Sequence, residues 1–226
     1  MKKTVSFFLL VLLSLFSTAF STFQQNNELV EALKANNTRV IILCNFQGTN
    51  NLLDIVTSSR SPGYELTNAG ITELQDTSVA LSRQNIKRIY TAPAYRAQQT
   101  TNFLGKSFNL LPSQLIIDTR LSMQNFGSAD GEDYDIYKLR YTSMQDMLEN
   151  TPPNGESGFS VSQRSENLLW NLVDYPNQTI LVVSHAFNFC HLSKILSGKY
   201  GTVPLPGTYV VFDFNAPKPK PLANKC

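Results

Sequence analysis

Five short apolar runs, separated by stretches long enough to be helices, constrain this chain more than any other feature. Val40–Cys44 is continuous and rich in β-branched residues, which reads as a buried strand, and Thr179–Val183 is the strongest strand signal in the sequence. Ile86–Tyr90, Leu115–Ile117 and Tyr209–Phe214 supply the others. Between the runs the apolar spacing turns helical, with Ile71, Leu74 and Leu81 on one side of Asn68–Leu81. Val161, Leu168 and Leu172 do the same in Val161–Val173. Further helices are expected at Asn27–Ala35, from Pro93 to a stop at Gly105, and over Phe189–Ser197 ahead of Gly198. Ile136, Leu139 and Met147 suggest one helical stripe in an otherwise irregular stretch, 122–160, that ends in turn residues. Residues 49–63 read as a loop. Strands alternating with helices in this way predict an α/β fold, a three-layer α/β/α sandwich around a mostly parallel central sheet.

With 226 residues the chain is long enough for one full core and short for two. Its N-terminus reads as a separate unit. Lys2 and Lys3 precede a run from Phe7 to Phe16 of mostly Leu, Val and Phe, and Ala19 and Ser21 sit at minus three and minus one of a cleavage point. This is the pattern of a secretory signal peptide over residues 1–21, too short for a comfortable span. The alternative is an uncleaved signal anchor. A single domain is expected over 22–215, with a flexible tail rich in Pro and Lys over 216–226.

The charge balance limits the partners. Lys2 and Lys3 account for the whole net excess of +2, so the mature chain is neutral and offers no basic surface for nucleic acid or anionic lipid. No stable membrane span is expected in it. Two sequons, Asn36-Asn37-Thr38 and Asn177-Gln178-Thr179, agree with export and make Asn36 and Asn177 candidate glycosylation sites. Three cysteines form no disulfide framework; Cys44 with Cys190 is the first pair to check, and three free thiols are the alternative. Two histidines and scattered acids lack the spacing of a metal site, and neither a glycine-rich nucleotide loop nor a G-x-S-x-G elbow occurs. No metal and no cofactor is expected.

In a layered α/β sheet, ligands gather at the carboxyl ends of the strands. That rule selects residues 45–50, 91–96 and 184–188. His185 directly follows the strongest strand, and Arg96 stands near the start of a helix, where a guanidinium fork beside free backbone amides suits a phosphoryl group or another anion. The alternative for Arg96 is an ordinary surface ion pair. His191 reads as a helix-surface or half-buried residue.

Four stretches resemble one known family. LTNAG (66–70), YTAPAYRAQQT (90–100), DTRLSMQNFG (118–127) and TILVVSHAFN (179–188) are similar, in order and separation, to motifs of the histidine phosphatases, which include the phosphoglycerate mutases. The likeness covers roughly residues 39–214. It implies a phosphoglycerate mutase-like fold in which a histidine of an arginine-histidine-glycine triplet attacks phosphorus. A second arginine and a second histidine hold the phosphoryl oxygens, and a glutamate serves as proton donor. Position by position, the resemblance makes Arg96 and His185 the anion-holding pair and matches Thr49 and Asn50 to residues that follow the triplet. It sets Asn45 where the first arginine belongs, Phe46 where the nucleophile belongs, Gln47 where the glycine belongs and Gln124 where the glutamate belongs.

Those replacements decide the functional expectation. Phenylalanine has no lone pair with which to attack, asparagine has no positive charge, and glutamine cannot cycle a proton. The expectation is a secreted, catalytically inactive histidine-phosphatase-like protein, a pseudoenzyme and glycoprotein. Its partner would be a phosphorylated or other anionic small ligand, or a protein engaging residues 125–160. The alternative is an active phosphomonoesterase that uses a nonstandard nucleophile or water.

Overall fold

The computed structural model describes residues 26–58 and 64–216. The signal segment 1–21, almost all of the tail and Cys226 lie outside the described residues. Helix α1, residues 26–35, leads into strand β1, Arg39–Cys44. The short helix α2, Thr49–Leu52, and helix α3, Asn68–Ser82, come before β2, Ile86–Thr91. Helix α4, Tyr95–Ser107, leads to β3, Leu115–Ile117. Two short helices, α5 at Tyr134–Lys138 and α6 at Met144–Glu149, are followed by α7, Gly158–Leu172. Strand β4, Thr179–Ser184, helix α8, Ala186–Ser197, and strand β5, Tyr209–Phe212, complete the chain.

The five strands lie in the order β3-β2-β4-β1-β5, with β5 antiparallel on one edge and every other pairing parallel. The chain therefore departs from β1 to one side of the centre and returns to fill β4 between β1 and β2. α3 packs with α4 and α7 with α8, and the general right-handed rule for crossovers, applied to this strand order, sets the two pairs on opposite faces. This is the expected three-layer α/β/α sandwich. β4 is buried along its whole length because it is central and covered on both sides, which is why its sequence runs apolar without alternation. Val161, Leu168 and Leu172 are fully buried, as their helical spacing predicts.

Several boundaries differ for physical reasons. Gly105 does not stop α4. It lies inside the helix, where a side chain would collide with that of Leu115, so it lets α4 close on β3. α8 begins at Ala186, three residues earlier than predicted, and ends as expected at Gly198, whose φ of 80° caps the helix in the left-handed region. The stripe of Ile136, Leu139 and Met147 is not one helix. Only Met147 is buried; Ile136 and Leu139 are solvent-exposed on a separate short helix. Ile71, grouped with Leu74 and Leu81 by spacing, is also exposed.

A second, smaller apolar cluster holds the irregular segment in place. Phe126 meets Tyr137 and Phe187 edge-on, at ring-centroid distances of 5.4 and 5.5 Å, with Met147, Leu148 and Cys190 around them. Phe187 and Cys190 belong to α8, so this cluster seats residues 123–148 over the helix that starts beside His185.

Candidate anion site at the carboxyl ends of the central strands

Parallel pairing brings the three predicted loops together. Cys44 is opposite Ser184 and Thr91 is opposite Val183, so β1, β4 and β2 end side by side. The ladder runs one residue further. The Asn45 N–H donates to the Ser184 carbonyl at 2.8 Å, and the Ala92 N–H to the Val183 carbonyl at 3.0 Å. α4 and α8 both start here, and their free N–H groups make this edge electropositive.

Three side chains converge at this edge. Arg96 Nη2 lies 3.3 Å from His185 Nδ1, and Asn45 Oδ1 lies 2.8 Å from the same nitrogen. All three are buried. The Asn45 amide donates from Nδ2 to the Phe46 carbonyl at 2.9 Å, which fixes its orientation with Oδ1 toward the imidazole. His185 Nδ1 therefore carries the proton and donates to Asn45, and the Nε2 lone pair is left buried without a partner. Burial holds the imidazole well below its ordinary pKa, and the positive charges of Arg96 and Arg164 push it in the same direction. The ring is neutral.

Arg96 is the most informative residue. It is not the surface arginine of the alternative reading, being only 3% exposed, and no carboxylate pairs with it among the described residues. Burial pulls its pKa down to about 10, which still leaves it charged at neutral pH. Holding a cation in a protein interior costs several kcal/mol unless something compensates.

The surrounding residues shape the space. Gly48 is needed where it stands, since a β-carbon there would lie 3.0 Å from Arg96 Cδ and 2.9 Å from Asn50 Oδ1. Asn50 is buried with Oδ1 unsatisfied, and Thr49 opens α2 beside it. One turn along α8 from His185, Asn188 is wholly buried and neither of its amide atoms has a partner. Unsatisfied buried polar atoms cost about 1–3 kcal/mol each, which makes these atoms candidates to bond a polar ligand. Sequence reasoning placed Asn188 in the third loop but gave it no role; the signal is its spacing of one helical turn from His185.

Gln47 and Gln124 have structural partners. Gln47 Oε1 accepts from the Thr67 hydroxyl at 2.8 Å, and its carbonyl lies against Gly70 so closely that any side chain there would collide with it. The LTNAG motif thus clamps the start of α3 onto the loop, with Thr67 also capping Gly70 N at 3.0 Å. Gln124 is fully buried. Its Nε2 donates to the Glu156 carbonyl at 2.8 Å, while Oε1 has no partner. Glu156 is gripped by Arg164 through both oxygens, at 2.8 and 3.0 Å, and it is Arg164 whose charge reaches His185.

Three expectations are revised. The side chain that meets His185 is that of Asn45, not Phe46. The Phe46 ring is buried in the main core, pressed toward Gly207, where an added β-carbon would lie 2.8 Å from Phe46 Cε1. The physical reason is the extended backbone: the β1–β4 register sets Asn45 level with His185, and its neighbour projects to the other side. Cys44 and Cys190 are both free and buried, the first at the end of β1 in the main core and the second in the smaller cluster. Burial pushes each thiol up to about 12, which leaves both unreactive. His191 is buried rather than superficial, its ring meeting Tyr200 edge-on at 5.7 Å. Asn36 and Asn177 lie at the opposite, amino-terminal ends of β1 and β4.

Among the described residues, no three His, Cys, Asp or Glu side chains come together as a metal site, and no helix is long and apolar enough to cross a membrane.

Residues 49–200 match the histidine phosphatase superfamily (branch 1). No curated protein matches the chain. Among solved structures, it is similar to a mycobacterial glucosyl-3-phosphoglycerate phosphatase complexed with VO3. That likeness has 21% identity and a TM-score of 0.64, covering 78% of this chain and 93% of that one. A protein from Thermus thermophilus matches at 17% identity and a TM-score of 0.60, over 78% and 94% of the respective chains. At these identities the likeness concerns the fold.

Proposed function

Since this chain belongs to the histidine phosphatase superfamily, we propose that it is an exported member that holds a phosphorylated or otherwise anionic small ligand and does not turn it over. The observation that carries this reading is Arg96, a buried cation with no carboxylate partner among the described residues, beside a neutral His185 whose Nε2 is unsatisfied. An incoming anion would accept from the guanidinium, and its charge would favour a proton on Nε2, making a second donor. The Asn188 Nδ2, one turn along α8 from His185 and without a partner, is a further candidate donor of a neutral hydrogen bond.

The same geometry argues against covalent catalysis. Attack on phosphorus held by Arg96 requires a lone pair next to His185, and the residue there is Asn45, whose amide nitrogen is not nucleophilic and is spent on Phe46. Phe46 cannot attack from any position. Gln124 cannot transfer a proton as an acid would. The inactive reading we propose is the same whether Asn45 or Phe46 stands in for the missing histidine. His185 keeps a lone pair on Nε2, and in this reading that nitrogen is assigned to holding the anion beside Arg96 rather than to attack; the buried thiols offer no substitute.

The test compares three proteins. Mature wild type, Asn45→His and Phe46→His are each incubated with a labelled phosphate monoester and quenched in alkali, where phosphohistidine survives. Wild type is expected to give no adduct and no phosphate release. A trace of adduct is expected only from Asn45→His. In parallel, vanadate or phosphate at millimolar concentration should raise the melting temperature of wild type. Turnover by wild type that Arg96→Ala abolishes, or an absence of any anion-induced stabilisation, would sink the proposal.

A further inference from the structure

We infer that one asparagine, Asn177, is the N-glycan acceptor of the folded protein, and that the neighbouring sequon at Asn36 is used to build the fold. The inference rests on the export reading of residues 1–21. It concerns the end of the sheet remote from the anion site.

The two sequons are not independent surface features. The Asn177 N–H donates to the Asn36 carbonyl at 2.9 Å, so the turn before β1 and the turn before β4 are hydrogen-bonded to each other. Asn36 ends α1 with its side chain turned inward, and its Nδ2 donates to the Val173 carbonyl at 2.7 Å, at the end of α7. The hydroxyl of its sequon threonine, Thr38, is spent in the same way. It donates to the Tyr175 carbonyl at 3.0 Å, and the residue is 2% exposed. A sugar on Asn36 would have to occupy the space in which α1 meets the α7–β4 turn.

Asn177 is the opposite case. It is exposed, at the tip of a turn with a φ of 60°, a conformation asparagine tolerates better than most residues. Its Oδ1 accepts from Asn37 Nδ2 at 3.1 Å, which orients the amide, while its own Nδ2 makes no hydrogen bond among the described residues. The nitrogen that would carry a glycan is therefore the one the fold leaves unused. In the transfer, this nitrogen bonds to the anomeric carbon of a lipid-diphosphate-linked oligosaccharide. The anomeric C–O bond breaks with its electron pair leaving on the diphosphate, and the amide gives up one proton. Because the two asparagines adjoin, a single glycan satisfies the surface.

The full chain expressed in a eukaryotic secretory host decides the matter. Peptide mapping of the secreted protein after enzymatic deglycosylation in heavy-oxygen water converts each occupied Asn to labelled Asp and also reads the mature N-terminus. The expected result is an N-terminus near Thr22, label at residue 177 and none at 36, with Asn177→Gln secreted without a glycan. Label at 36, or a processed chain with none at 177, overturns the inference. An unprocessed N-terminus on an unglycosylated chain overturns the export reading, and the inference with it.

Discussion

At the scale of single residues, Arg96 concentrates the energetic tension of this protein. A buried cation with no carboxylate partner among the described residues is costly to the fold, so replacing it with an apolar side chain of similar length should relieve that cost and remove the ligand's anchor together. Arg96→Met is expected to melt at or above wild type without anion, and to show none of the phosphate-induced shift in scanning fluorimetry. The two histidines predict the acid response. His191 falls to about 4 from an unfolded value near 6.5, chiefly through burial, and His185 is depressed for the same leading reason. As pH falls below 6.5, the unfolded chain takes up protons that the folded chain refuses. Stability should therefore decline from pH 6.5 toward 4, and His191→Gln should flatten that decline in urea titrations. Arg96 and His185 were legible in the sequence because each sits at a fixed offset from a recognisable strand. What could not be read there was which of two adjacent residues, Asn45 or Phe46, faces His185. The loop spacing is compatible with both, and only the pairing of β1 with β4 chooses.

At the scale of elements, the site depends on how closely α3 and α4 approach the loops. Gly70 leaves no room between α3 and the Gln47 carbonyl, and that atom is backbone, which cannot swing aside. Gly70→Ala should lower stability by roughly 1–3 kcal/mol, read from the urea midpoint, and weaken anion binding by displacing the loop. Gly105→Ala meets only the side-chain atoms of Leu115, which can rotate, and should cost less. Helix periodicity served well where one face is fully covered, as in α7. It failed at Ile136 and Leu139, which meet solvent because the short helix they belong to or cap buries Tyr137 instead. Periodicity reports that a face could be buried; whether another element comes to cover it depends on the fold.

At the scale of the whole molecule, binding at the strand edge should couple to global stability and to protons. An anion present at about one hundred times its dissociation constant stabilises the native state by about 2.7 kcal/mol, provided the unfolded chain does not bind it. Because His185 is neutral when empty and gains a reason to be charged beside an anion, binding should draw in a proton. Calorimetry of sulfate binding, an anion that does not titrate near neutral pH, in buffers of different ionisation enthalpy should show net proton uptake, and none with His185→Gln. The amino-acid sequence by itself determined the layered α/β architecture, because strand and helix periods are local and each run carries its own. It also determined that no histidine stands ahead of Val183 to attack phosphorus. Tertiary structure alone decided that Arg96 is buried with no carboxylate beside it among the described residues, that Asn45 meets the imidazole, and that one sequon asparagine faces inward while the other faces out. Each of those depends on contacts between residues far apart in the chain, and local spacing carries no record of them.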